Sequence, residues 1–143
     1  MAYQIRRQDP EIEELQLVNR DGSVAETLKV ALNGADLAER VSREYVNLLN
    51  AQSYANDPET GKDPESMAEA VEKLGNCVVD LYNAALGEEN TGKILDFYNG
   101  RILEMIQEVN PFVINVVIPK ARKIAQQNRK AARASYRKGI FQR

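Results

Sequence analysis

The run Gly87-Glu-Glu-Asn-Thr-Gly92-Lys93 has the spacing G-x-x-x-x-G-K of a loop that cradles phosphates. That chemistry requires a buried strand ahead of the run, backbone amides around the phosphates, and a Ser or Thr after the lysine for magnesium. Here a helical apolar repeat precedes the run, Ile94 follows the lysine, and Glu88 and Glu89 would repel an anion. The run reads as the C-cap glycine of one helix and a connecting turn. Four carboxylates, Asp57, Glu59, Asp63 and Glu65, crowd a second stretch, and oxygen-rich loops can hold calcium. The spacing fails the helix-loop-helix calcium pattern, because glycine falls at the fifth position from Asp57 and Ala68 stands at the twelfth. A solvated acidic loop is expected there. The single cysteine, Cys77, lies among apolar residues, and the chain has no histidine. That composition excludes a Cys–His pair, a Ser–His–Asp triad and imidazole-assisted zinc binding. Neither an enzyme, a cofactor nor a metal centre is expected.

Charge supplies the one functional signal. Net charge is −2 over 143 residues. Between Pro119 and Arg143 stand nine basic residues and no acid: Lys120, Arg122, Lys123, Arg129, Lys130, Arg133, Arg137, Lys138 and Arg143. The remainder holds the other 10 basic residues against all 21 acidic ones, a net of −11. An acidic body (1–118) therefore carries a basic C-terminal helix or tail (119–143). Three readings fit it. It is a solvated helix that shares charge with the body, a nucleic-acid-binding element that neutralises phosphates, or an assembly tail. In the third, the cations lie on an acidic face of a neighbouring subunit and Ile140 and Phe141 anchor the end. One aromatic, Tyr136, within the basic run and the acidity of the body weigh against nucleic acid.

The elements that must position this tail follow from periodicity. Residues 1–10 are polar and read as a loose arm. They lack the apolar run of a signal peptide, so an intracellular protein is expected. Leu15 and Leu17 alternate with polar residues, Asp21-Gly22 is a hairpin turn, and Val24, Leu28, Val30 and Leu32 share a period-two face. A β-hairpin over Glu13–Asn19 and Val24–Leu32 is expected, resting on helices or on another subunit. Asn33 as N-cap opens a helix over Ala35–Ser53, with Leu37, Val41, Tyr45 and Leu48 as its apolar stripe. A turn-rich loop follows to Pro64. Asp63-Pro64 then starts a long helix to Gly87, in which Gly75 either allows another helix to approach closely or is incidental. A third helix starts near Asn90, and Asn99-Gly100 weakens or breaks it. Ile102, Leu103, Met105, Ile106 and Val109 resume the pattern.

The segment Pro111-Phe-Val-Ile-Asn-Val-Val-Ile-Pro119 is the apolar centre of the chain. Only Asn115 interrupts it, so it is expected to be apolar all round and buried on most sides. It is far shorter than the ~20 apolar residues of a membrane span, and no membrane partner is expected. Asn110-Pro111 reads as a new helix start, and Pro119 as the opening of a last helix to about Lys138. That helix has a thin apolar stripe, Ala121, Ile124, Ala131 and Ala134. Val78, Leu81, Ile106, Val113 and Val117 are the expected core. The fold class is mainly α, a helical domain with an N-terminal β-hairpin and a basic C-terminal helix.

This layout resembles small tail-region proteins of phages of Gram-positive bacteria, of the tail-assembly-chaperone kind. The resemblance rests on Glu14-Leu-Gln-Leu-Val with Asp21-Gly22, on Leu28-Lys-Val-Ala-Leu-Asn33, and on Ile94-Leu-Asp-Phe-Tyr98 with Arg101-Ile-Leu-Glu-Met105. The Pro111–Pro119 segment with its basic end completes it. It implies a mainly helical protein without cofactor or catalytic residues. Such a protein acts in the bacterial host cytoplasm by binding tape-measure or tail-tube proteins. Together with the charge layout it makes a homo-oligomer the expected state. The partner-binding residues are Lys120, Arg122, Lys123, Arg129, Lys130, Arg133, Arg137, Lys138, Ile140 and Phe141. The alternatives kept are a nucleic-acid-binding protein using the same helix and a small regulatory protein.

Overall fold

A computed structural model describes residues 2–5, 11–32, 34 and 36–141, with side chains as far as Ala134. The chain is mainly helical behind one hairpin. Strands β1 (Ile12–Val18) and β2 (Val24–Ala31) pair antiparallel. The hairpin closes where expected. Gly22 takes φ +89°, and the Asp21 carboxylate accepts from both the backbone N–H and the hydroxyl of Ser23. Leu17, Leu28, Val30 and Leu32 are buried against the helices. Val24 is not, contrary to its period-two position. Leu17 pairs with Glu26 but Val18 pairs with Val24, so Ala25 is an extra residue. A bulge of this kind turns what precedes it to the other face, and Val24 is 48% exposed.

Helix α1 (Leu37–Ala55) starts two residues later than the periodicity predicts. Asp36, not Asn33, is its N-cap, and the Asp36 side chain reaches Arg40 rather than a backbone amide. Asn33 and Ala35 lie outside the described residues. Leu37, Val41 and Leu48 are buried and Tyr45 is partly so. The connection to the next helix contains a 3-10 turn, Thr60–Lys62, that buries Thr60, so it is not exposed throughout. Helix α2 (Pro64–Leu86) begins as its sequence dictates, with the Asp63 carboxylate accepting from the Glu65 N–H and proline in the first turn. It packs along α1. Gly75 admits no close neighbour: a Cβ there would meet nothing within 4 Å.

Gly87 ends α2 at φ +91°, and α3 (Glu88–Tyr98) opens on the next residue, two before the expected start. Asn99 at φ +49° and Gly100 at φ +83° break the chain there, because two successive residues in left-handed conformation cannot continue a helix. Helix α4 (Ile102–Phe112) then runs without interruption into a π-helical turn, Val113–Val117, and on into α5 (Ile118–Phe141).

Neither proline starts a helix. Pro111 lies inside α4 and Pro119 in the first turn of α5. In an α-helix each proline leaves the carbonyl four residues back, of Gln107 or of Asn115, without its donor. Both of those residues are exposed, so water can serve them. The π-turn has a cause in the apolar pattern. Met105, Val109, Val113, Val117 and Ala121 recur every four residues and are all at most 2% exposed. Four residues of α-helix advance about 400°, so a strict four-residue spacing drifts about 40° per step and would leave the core over this distance. The wider turn, in which the Ile118 N–H donates to the carbonyl of Val113 five residues back, takes rotation back and keeps the row facing inward.

The Pro111–Pro119 segment is thus buried on one face only. Val113, Val117 and Ile118 are buried, whereas Pro111, Asn115 and Pro119 form an exposed row four residues apart. Of the expected core residues, Val78, Leu81, Val113 and Val117 are fully buried and Ile106 is partly exposed. Tyr82, also fully buried, donates its hydroxyl to Oδ1 of Asn110. Asn110 is therefore no helix cap but the core's polar link between α2 and α4. By length and composition, the continuous helix includes a stretch apolar enough to cross a membrane, with a third of it buried inside the fold.

Candidate partner-binding helix

Helix α5 is seated at its base and free beyond. Ala121 is buried and Ile124 half-buried, packed among α1, β1 and the π-turn. Lys120 pairs with Glu13 of β1, and the Arg122 guanidinium donates to Oγ of Ser42 on α1 at 3.2 Å. Lys123 stands beside Glu11 and Glu13, lining a shallow cleft with Lys120 and Gln127. Arg129 flanks a second cleft formed with Ala38, Glu39 and Ser42 of α1. These contacts place the base of α5 across the acidic N-terminal ends of β1 and α1.

From Gln126 to Ala134 every residue is exposed. Ala131 and Ala134, assigned to the apolar stripe from sequence, cover nothing. Arg129, Lys130 and Arg133 project from this stretch, and among the described residues none of them is in an ion pair. Lys120 is the α5 cation that has one among the described residues. The helix backbone continues to Phe141, but the side chains of Arg137, Lys138, Ile140 and Phe141 lie outside the described residues. The boundary drawn at Pro119 lies one residue past the change from π-turn to α5, and the helix runs on through it. The change comes after Ala125, where burial ends, although Gln127 and Arg129 still line the clefts against β1 and α1.

The remaining sequence candidates have local roles. Gly87 joins two helices, and Thr91 Oγ1 donates to its carbonyl at 2.9 Å. Lys93 lies 3.8 Å from Glu89, so the lysine of the phosphate-loop spacing faces a carboxylate. In the acidic connection, Asp57 accepts from the Glu59 N–H, Asp63 from Glu65 and Ser66, and Glu59 pairs with Lys62. Among the described residues no three carboxylates, cysteines or histidines gather as metal ligands would. Cys77 is partly buried on α2.

Two tyrosines, Tyr82 and Tyr98, tie the helices together. Burial holds the Tyr82 phenol well above its ordinary range. Burial raises Tyr98 first, and its bond to Oε2 of Glu108, at 2.6 Å, adds to the effect. Their signal in the sequence is a hydroxyl on a core face, which needs a partner. No family model, curated protein or solved structure matches the chain.

Proposed function

We propose that this protein is a non-enzymatic phage tail-assembly factor with a chaperone-like role, acting by protein–protein binding through α5. The observation that carries the reading is the free half of that helix. It is rigidly continuous with a core helix, wholly exposed from Gln126 to Ala134, and drawn from a segment without an acid. Ion pairs made at an exposed surface add little to a fold, so holding unpaired cations out on a helix does little for stability. Such a helix suits an acidic partner surface, which it finds by long-range attraction. The partners are further copies of this chain and tape-measure or tail-tube proteins, following the resemblance of the sequence.

The test uses the full chain and a variant carrying Arg129→Glu, Lys130→Glu and Arg133→Glu, substitutions at exposed residues. Sedimentation at low and high salt, alone and with tape-measure or tail-tube protein, is expected to show a salt-weakened part of the association that the variant lacks. A variant that associates as the native chain does would remove α5 from the reading. Retention of a labelled duplex or RNA at physiological salt by the native chain alone would replace the protein partner with a nucleic acid.

A further inference from the structure

Two features at the other end of the molecule complement each other. The first is the N-terminal arm. Ala2–Ile5 makes no helix, turn or strand pairing, and Tyr3 and Ile5 are 93% and 88% exposed, more than any other large apolar side chain described. They stand two residues apart, the spacing that puts side chains on one face of a strand. The second is the outer edge of β1. The Leu32 N–H donates to the Glu11 carbonyl, which makes those two a bonded pair. Bonded and non-bonded pairs alternate in an antiparallel ladder. Ile12, Glu14 and Gln16 therefore turn their backbone N–H and C=O away from β2. On the β2 side, the outward carbonyl of Lys29 accepts from Nδ2 of Asn90 at 2.9 Å, so α3 covers that edge. No described residue bonds the outward backbone of Ile12, Glu14 or Gln16.

We infer that the Tyr3–Ile5 arm of a second copy of this chain adds to the free edge of β1 as a third strand. A two-stranded ribbon is marginal in water and gains from a third strand, and an open edge is a template for one. The outer face supplies apolar neighbours for the arm, since Ile12 and Val18 are each 46% exposed. In sequence the arm runs into Arg6 and Arg7, and the receiving segment carries Glu14 outside the cleft in which Lys120 and Lys123 face Glu11 and Glu13. The occupant is a second copy because the arm in its own chain packs on nothing. Exchange of arms between two copies closes a dimer with both edges filled. Backbone hydrogen bonds and apolar side chains carry this contact, so it persists in high salt and does not need the exposed half of α5.

Sedimentation of the full chain over a range of concentrations in high salt tests it, with Tyr3→Asp/Ile5→Asp as the variant. Both residues are too exposed for these changes to disturb the fold. The native chain is expected to self-associate, and the variant at least roughly tenfold more weakly, a shift of about 1.4 kcal/mol. A second measurement locates the contact. On a Cys77→Ala background, a Tyr3→Cys chain mixed with a Gln16→Cys chain is expected to form a disulfide between the two under mild oxidation. A native chain that stays monomeric in high salt overturns the inference. So does a variant that associates as tightly as the native chain, or a cysteine pair that closes only within one chain carrying both.

Discussion

Replacing Val113 with aspartate tests the central helix most directly. Val113 is fully buried in the π-turn, in the inward row with Val109 and Val117. Losing its burial costs roughly 1.5–3 kcal/mol. The carboxyl that replaces it meets valines, and burying a polar group without a partner costs roughly 1–3 kcal/mol more even when it takes up a proton. The total, about 2.5–6 kcal/mol, is a large share of the roughly 5–15 kcal/mol that holds a domain folded. Asn115→Asp is the matched control. It lies two residues away in the same turn but on the exposed row, where surface changes stay within about 0.5 kcal/mol. Urea unfolding of the three proteins, followed by far-ultraviolet circular dichroism, reads both effects. If Val113→Asp costs less than about 1 kcal/mol, or if the two variants behave alike, the inward row and the rotation assigned to the π-turn are wrong.

Tyr82→Phe keeps the ring but strands the buried Oδ1 of Asn110, and is expected to cost roughly 1–3 kcal/mol in the same melt. A neutral result would mean that water reaches Asn110. Alkaline pH should act through the same tyrosines. Folding raises the pKa of Tyr82 and Tyr98 above the ordinary phenol value, so their contribution is whole below about pH 10 and is lost as pH rises beyond it. Melts from pH 8 to 11 should show stability falling only at the alkaline end, with a smaller fall in Tyr82→Phe. An equal fall in both would shift the effect to other groups.

Much of the fold was legible because its signals are local. Asp21-Gly22 closes a hairpin and Asp63-Pro64 starts a helix through short-range geometry and hydrogen bonds within a few residues, and both are where the sequence puts them. Gly87 and Asn99-Gly100 end helices because backbone sterics decide those positions before any packing does. The nine cations after Pro119 are legible in the same way, since charge along a chain needs no fold to be counted.

Tertiary structure decided what depends on two segments meeting. Pro111 and Pro119 are local breakers, yet the helix runs through both, because an inward row from Met105 to Ala121 gains more from burial than the prolines cost and the residues whose carbonyls they free, Gln107 and Asn115, are exposed. The sequence reads Pro111–Pro119 as apolar all round, and the four-residue spacing of the row denotes a π-turn only where a core holds it in one direction. Asn110 reads as a cap until Tyr82, 28 residues away, is found against it. Val24 follows the strand alternation, but the bulge that turns it outward exists only in the pairing with β1. The end of burial at Ala125 cannot be read from the polar residues, alanines and cations that follow it. It is set by how far α1 and β1 reach along α5, and that length is a property of the assembled fold alone.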